Sequence, residues 1–202
     1  FPCRCKLAEL EEQRLAHLRS LSNLGHLSHM TFQTWVQARP RLPEESARSL
    51  RHAFGAAERY AENPTGWLIF LGGYGCGKTH LAAAIANRCL ELGRPVLFVV
   101  VPDLLDHLRA TYSPSSPVRY DERFHEVRNA PLLILDDLGT QNATPWAGEK
   151  LYQILNHRYN ARLPSIITSN QRLDEIDLRI RSRLVDPTLT TVFHIIAPDF
   201  RR

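Results

Sequence analysis

Two periodicities run along the chain. Over residues 6–22, Leu7, Leu10, Leu15, Leu18 and Leu21 recur every three to five positions, which predicts a helix. Asn23 and Gly25 break it, and Arg39-Pro40-Arg41-Leu42-Pro43 is a second break. Over residues 44–62, Ala47, Leu50, Phe54, Ala57 and Ala61 fall on one helical face, and Asn63-Pro64-Thr65-Gly66 ends it. From there short apolar runs alternate with helical stretches. Strands are predicted over 67–71, 95–101, 132–135, 165–169 and 191–196. Helices are predicted over 78–92, 103–112, 119–128, 146–162 and 173–185, with a Ser/Pro loop at 113–117. The unbroken apolar run 95–101 is the pattern of a strand covered on both faces. Five strands with helices between them predict an α/β fold with a doubly wound parallel sheet.

Composition narrows the class. In 202 residues, 44% are hydrophobic and 23% charged, enough for one core and unlike a disordered or fibrous chain. The longest apolar runs, 81–86 and 96–101, are far too short to cross a bilayer, so no membrane role is expected. Four cysteines make no disulfide framework, and Cys76 and Cys89 read as small buried or loop residues of a reducing compartment. Cys3-Arg4-Cys5 is half a zinc site, and a helix separates it from His26 and His29, so zinc is not expected here. The net charge of +4 is compatible with nucleic acid without arguing for it. The chain opens at Phe1 with no initiator Met and no signal-peptide pattern; the expectation is a cytoplasmic protein of which this is a piece.

The chemistry concentrates after the first strand. Gly72-Gly73-Tyr74-Gly75-Cys76-Gly77-Lys78-Thr79 matches G-x-x-x-x-G-K-[ST], between a predicted strand and a predicted helix. Glycines let backbone N–H groups curl around phosphate oxygens, and the helix aims its positive end at them. Lys78 is expected to reach the β- and γ-phosphates, and the Thr79 hydroxyl to ligate Mg²⁺. Leu132–Leu135 then leads into Asp136-Asp137 at the ligand-binding end of a strand. Asp136 is the expected Mg²⁺ carboxylate, directly or through water, and Asp137 the group that orients or deprotonates a water. Asn170, after Ile166-Ile167-Thr168-Ser169, is either a water-positioning amide or a simple turn residue.

This order of motifs resembles the AAA+ ATPases. More narrowly, it resembles the DnaC/DnaI-type helicase loaders and the IstB-type transposition ATPases. The residues that carry the likeness are the Gly-rich loop continued by His80-Leu81-Ala82, Leu133-Ile134-Leu135-Asp136-Asp137-Leu138-Gly139, Trp146-Ala147-Gly148-Glu149-Lys150-Leu151-Tyr152, Thr168-Ser169-Asn170 and Ser182-Arg183-Leu184. The resemblance implies a P-loop NTPase domain over 31–202, with 1–30 as an N-terminal helical stub. ATP and Mg²⁺ are its cofactors, and Gly72 through His80 its nucleotide loop. It makes Asn170 the sensor-1 residue and Arg183 the arginine finger acting on a neighbouring copy, with Arg179 second. It implies a slow ATPase, self-assembly, and a replicative helicase held by an N-terminal region mostly outside this chain. Residues 102–130 resemble the helical insertion that touches single-stranded DNA in initiators and loaders, with Arg109, Arg119, Arg123 and Tyr120 as candidates. The alternative for Tyr120, Phe124 and Val127, which share a helical face, is plain core. Three departures stand out. Asp137 is shorter than the usual Glu. The C-terminal lid is absent or vestigial, with Arg201 the only stand-in for its arginine. Most of the helicase-binding region is missing. Two other functions stay open: an IstB-like transposition accessory ATPase, and a nucleotide-switched DNA-binding module with little hydrolysis.

Overall fold

The computed structural model describes residues 23–37, 42–111, 120–139 and 144–201. The helix expected over 6–22, Cys3 and Cys5, Tyr112, the loop at 113–117 and Arg119 lie outside these.

Helices α1 (Phe32–Gln37) and α2 (Glu44–Glu62) precede the first strand, β1 (Trp67–Gly72). Then follow α3 (Lys78–Glu91), β2 (Val96–Val100), α4 (Val101–Ala110), α5 (Tyr120–Asn129), β3 (Leu132–Leu138), α6 (Pro145–Asn160), β4 (Ser165–Ser169), α7 (Leu178–Leu184) and β5 (Thr190–Ile195). The strands form one parallel sheet in the order β2-β3-β4-β1-β5. Alternation along each strand divides its side chains between two cores. Ile69, Leu97, Leu135 and Ile167 face α4 to α7, against Leu104, Leu108, Leu151, Ile154 and Ile180. Leu68, Phe98, Ile134 and Ile166 face α2 and α3, against Leu50, Ala57, Leu81 and Ile85. Both faces of the sheet are thus covered, as the apolar strands require.

The helices follow local rules. Glu44 and Glu45 open α2 and Arg59 lies in its last turn, each matched to the helix dipole. Alanine-rich α3 packs close to the sheet because Ala82, Ala83 and Ala86 leave room. Pro102 sits in the first turn of α4, where its missing N–H costs nothing, so the helix starts two residues earlier than expected.

Other departures from the sequence reading have physical causes. Residues 23–27 form a 3₁₀ turn and α1 follows; both are too short to show a period, yet Leu24 and Trp35 are buried in the core. The helix expected over 173–185 is split. Leu173–Glu175 is 3₁₀, Ile176 is extended, and Asp177 caps α7 by accepting from the Arg179 and Ile180 N–H groups. The strand expected to end at Leu135 runs on to Leu138, with an extra residue against β4 between Leu135 and Leu138.

One buried charge escaped the sequence reading. Arg158 of α6 is 0% exposed. Its guanidinium donates to the Ser165 hydroxyl and to the carbonyls of Arg128, Ala130 and Pro164. These groups bracket the starts of β3 and β4, so one planar donor fork fixes two strand entries. Burial presses its pKa down to about 9, which still leaves it charged at neutral pH.

Candidate nucleotide site

The site lies at the C-terminal ends of β1, β3 and β4, where open α/β sheets bind ligands. β1 delivers Gly72 and α3 begins at Lys78, so residues 73–77 must reverse the chain within one short loop. Gly75 and Gly77 have φ of 66° and 101°, in the region that favours glycine. A Cβ at Gly77 would stand 2.2 Å from the Trp35 ring, and one at Gly75 would stand 1.6 Å from Asp199 Oδ1. The conformation selects glycine at both positions, and at Gly77 the Trp35 ring does so as well.

Lys78 is buried, and its Nζ donates to the carbonyls of Gly72 at 2.9 Å and Gly73 at 2.8 Å. The loop thus holds an ammonium at its centre. Thr79 Oγ1 donates to the Asp136 carboxylate, 3.0 Å from each oxygen. Thr168 Oγ1 donates to Asp136 Oδ1 at 2.6 Å and accepts the Asp137 N–H at 2.9 Å. Asp136 is 5% exposed, and burial raises its pKa despite the two hydroxyls and Lys78, which act the other way. Asp137 has φ of 62° within the β3 irregularity, which turns it away from the strand alternation and into the cavity wall.

A cavity of about 430 Å³ joins these groups. Lys78, Thr79, His80, Asp136 and Asp137 line it, with Tyr74, Gly75 and Gly77 from the loop and the apolar Met30, Trp35, Val100 and Phe200. The size and the mixture of apolar wall and few polar groups suit a small organic anion. Phe200 and Arg201 join the wall, where the Phe200 N–H donates to the Gly75 carbonyl. His80 is tied to the segment before α1, with Nε2 2.9 Å from the Thr31 carbonyl oxygen, and its ring meets Trp35 edge-on.

The donor set fits a magnesium-bound nucleoside triphosphate. A loop of glycines beside a fixed ammonium suits phosphates. A hydroxyl and a buried carboxylate held together suit a hard divalent cation, whose charge would offset the burial of Asp136. Asn170 follows β4 and is half-buried; its Nδ2 is buried without a hydrogen-bond partner among the described residues.

The remaining candidates lie away from this cavity. Arg183 is held on α6 by Asn156 and Tyr152, and Arg179 pairs with Glu149 at 3.1 Å. Arg109 lies 5.1 Å over the Trp146 ring. Arg123 pairs with Glu126 at 3.5 Å. Phe124 and Val127 are buried in the core, and the half-buried Tyr120 ring stacks on Phe124 at 5.5 Å. Sequence reasoning gave Thr168 no role, although a hydroxyl in a buried apolar strand beside the acidic one was the signal. The lining by Trp35 and Phe200 carried no sequence signal at all.

The strand order, the loop between β1 and α3, and the acidic pair on β3 define a P-loop ATPase domain of the AAA+ type. A family model described as "IstB-like ATP binding protein" matches residues 8–194, and the chain belongs to that family. It is 29% identical over 138 residues to the replicative helicase loader DnaC of Escherichia coli K12, covering 67% of this chain and 56% of that protein. It is 30% identical over 128 residues to the replicative helicase loader DnaI of Bacillus subtilis, covering 62% of this chain and 40% of that one. The chain thus spans about half the length of the curated relatives it matches. A crystal structure of the DnaC helicase loader superposes with a TM-score of 0.68 at 23% identity, covering 83% of this chain and 97% of that one. No helix among the described residues is long and apolar enough to cross a membrane.

Proposed function

We propose that the chain hydrolyses MgATP slowly and is the ATPase portion of a cytoplasmic replicative helicase loader that assembles with its own copies on single-stranded DNA. The observation that carries this is the Lys78, Thr79 and Asp136 constellation in a chain similar to DnaC and DnaI over its ATPase region. The ATPase domain is taken as 31–202.

Each residue has a separate task. The loop N–H groups and the start of α3 bind phosphate oxygens. Lys78 sets an ammonium beside the β- and γ-phosphates. Thr79 and Asp136 would hold Mg²⁺, which when bound draws charge from the phosphoryl oxygens. Asp137 orients a water or takes its proton, and its short reach keeps turnover slow. Asn170 turns its unpaired amide donor to that water or to phosphate. Arg183 serves the nucleotide of a neighbouring copy, where such an arginine is worth about 10³–10⁵ in rate. Arg201, beside the cavity, takes the place of a lid arginine. Arg109, Arg119 and Arg123 meet the phosphates of single-stranded DNA.

The test is loading. Full-length protein mixed with its host's replicative helicase and a single-stranded circle should form a complex and give ATP-dependent unwinding. Failure to capture the helicase overturns the reading. The family match to IstB-like proteins favours one second reading, a transposition accessory ATPase. Preference for duplex DNA and capture of a transposase would establish that reading instead. Single-turnover hydrolysis indistinguishable from the uncatalysed rate would leave a nucleotide-switched DNA-binding module.

A further inference from the structure

Arg183 is seated in an unusual way for an arginine expected to leave its own subunit. A guanidinium has five N–H donors in a rigid plane, and all five are spent within the chain. Nε and Nη2 converge on Asn156 Oδ1 at 3.0 and 2.6 Å. Nη1 donates to the Arg179 carbonyl at 2.6 Å and to the Ser182 hydroxyl at 3.2 Å. Nη2 also donates to the Tyr152 hydroxyl at 3.2 Å. The plane lies over the Tyr152 ring at 4.9 Å and the Tyr159 ring at 5.7 Å. Tyr152, Asn156 and Tyr159 are spaced by four and three residues, so α6 presents them as one stripe beneath α7.

The two edges of the plane are not held alike. The Nε edge is gripped by a single amide oxygen that takes both of its hydrogens. The outer Nη1–Nη2 edge is held partly by two neutral hydroxyls, at the longest distances of the set. A phosphate can take one hydrogen from each outer nitrogen by displacing only those hydroxyls, while Asn156 keeps its grip. A charged acceptor outcompetes a neutral hydroxyl for a guanidinium.

We propose that Asn156 is a positioning residue for Arg183: it chelates the Nε edge and so aims the outer edge at the phosphates of a neighbouring copy's nucleotide. Tyr152 supports the aim by stacking. This inference rests on the reading of Arg183 as an arginine acting in trans, and the test separates the two.

Three mixtures of full-length variants are compared for ATP hydrolysis. The first is Arg183→Ala with Lys78→Ala, in which the intact loop of one partner can meet the intact arginine of the other. The second replaces the arginine donor by Lys78→Ala/Asn156→Ala. The third uses Lys78→Ala/Asn156→Asp as donor, which keeps an oxygen for Nε and Nη2. Recovery is expected in the first mixture. It should fall about ten- to a hundredfold in the second, the cost of a misplaced reacting group, and return in the third. The single variant Asn156→Ala should stay folded at the assay temperature and bind ATP with wild-type Kd while hydrolysis falls about ten- to a hundredfold, a split that a merely structural residue would not produce. Equal recovery in the first and second mixtures overturns the role of Asn156. No recovery in the first overturns the trans reading of Arg183 itself.

Discussion

Replacing Thr168 by valine is the sharpest probe of how the acidic strand is held. The side chain is 1% exposed, and valine has nearly its shape, so the change removes a hydroxyl and little else. That hydroxyl donates to Asp136 at 2.6 Å and accepts the Asp137 N–H at 2.9 Å. Losing a hydrogen bond to a charged group costs about 1.5–3 kcal/mol, and stranding a buried N–H about 1–3 kcal/mol. The added methyl returns about 0.8 kcal/mol, so the net loss is about 2–5 kcal/mol. In a chain of this size that lowers Tm by about 4–20 °C. The same bonds fix the left-handed turn at Asp137, so kcat for ATP should fall about ten- to a hundredfold as the carboxylates lose their aim. Thermal melts and steady-state hydrolysis measure both, and Thr168→Ser, which keeps the hydroxyl, should recover most of each. A valine variant that melts within about 2 °C of wild type and turns over normally would refute the argument.

Asp136→Asn should raise the Tm of metal-free protein at neutral pH and abolish Mg²⁺-dependent hydrolysis. Burial holds the folded pKa of Asp136 above its unfolded value, so the ionised carboxylate opposes folding above both values; melts in EDTA that show a fall would contradict this. Arg158→Ala should cost about 3–5 kcal/mol in urea unfolding, because it strands buried acceptors at two strand entries, with Arg158→Lys in between. His157, hydrogen-bonded to Asn129 at 2.8 Å, has a pKa lowered by burial and by Arg128, Arg158 and His125. The unfolded chain therefore binds the proton more readily, and stability should rise with pH through the unfolded histidine range. His157→Gln should flatten that slope in melts from pH 5 to 8, and an unchanged slope would count against it.

The sheet was legible because buried parallel strands are written as apolar runs, and residues 165–169 match β4 to the residue. The phosphate loop was legible because its glycines answer a local backbone demand, confirmed at Gly75 and Gly77. What escaped notice depends on contacts distant in sequence. Trp35 reaches Gly77 across 42 residues, and Phe200 joins the Gly75 carbonyl from the far end of the chain. Thr168 acts through two residues of β3, 31 and 32 positions away, which no local period records. Arg158 lies near a helix end with nothing in its sequence neighbours to mark it, and only the fold buries it. The split at Asp177 was legible in principle, since aspartate is a favoured N-cap, but the apolar spacing on either side masked it.

Nucleotide binding turns on Lys78 and the loop around it. Calorimetric titration of the protein with ATP and Mg²⁺, repeated on Lys78→Ala, tests that directly. The wild type should bind one nucleotide per chain, more weakly in EDTA, and Lys78→Ala should give no binding heat, because the ammonium that Gly72 and Gly73 hold at the loop's centre is gone. Binding by Lys78→Ala with an affinity near wild type would contradict the assignment of this cavity as the nucleotide site.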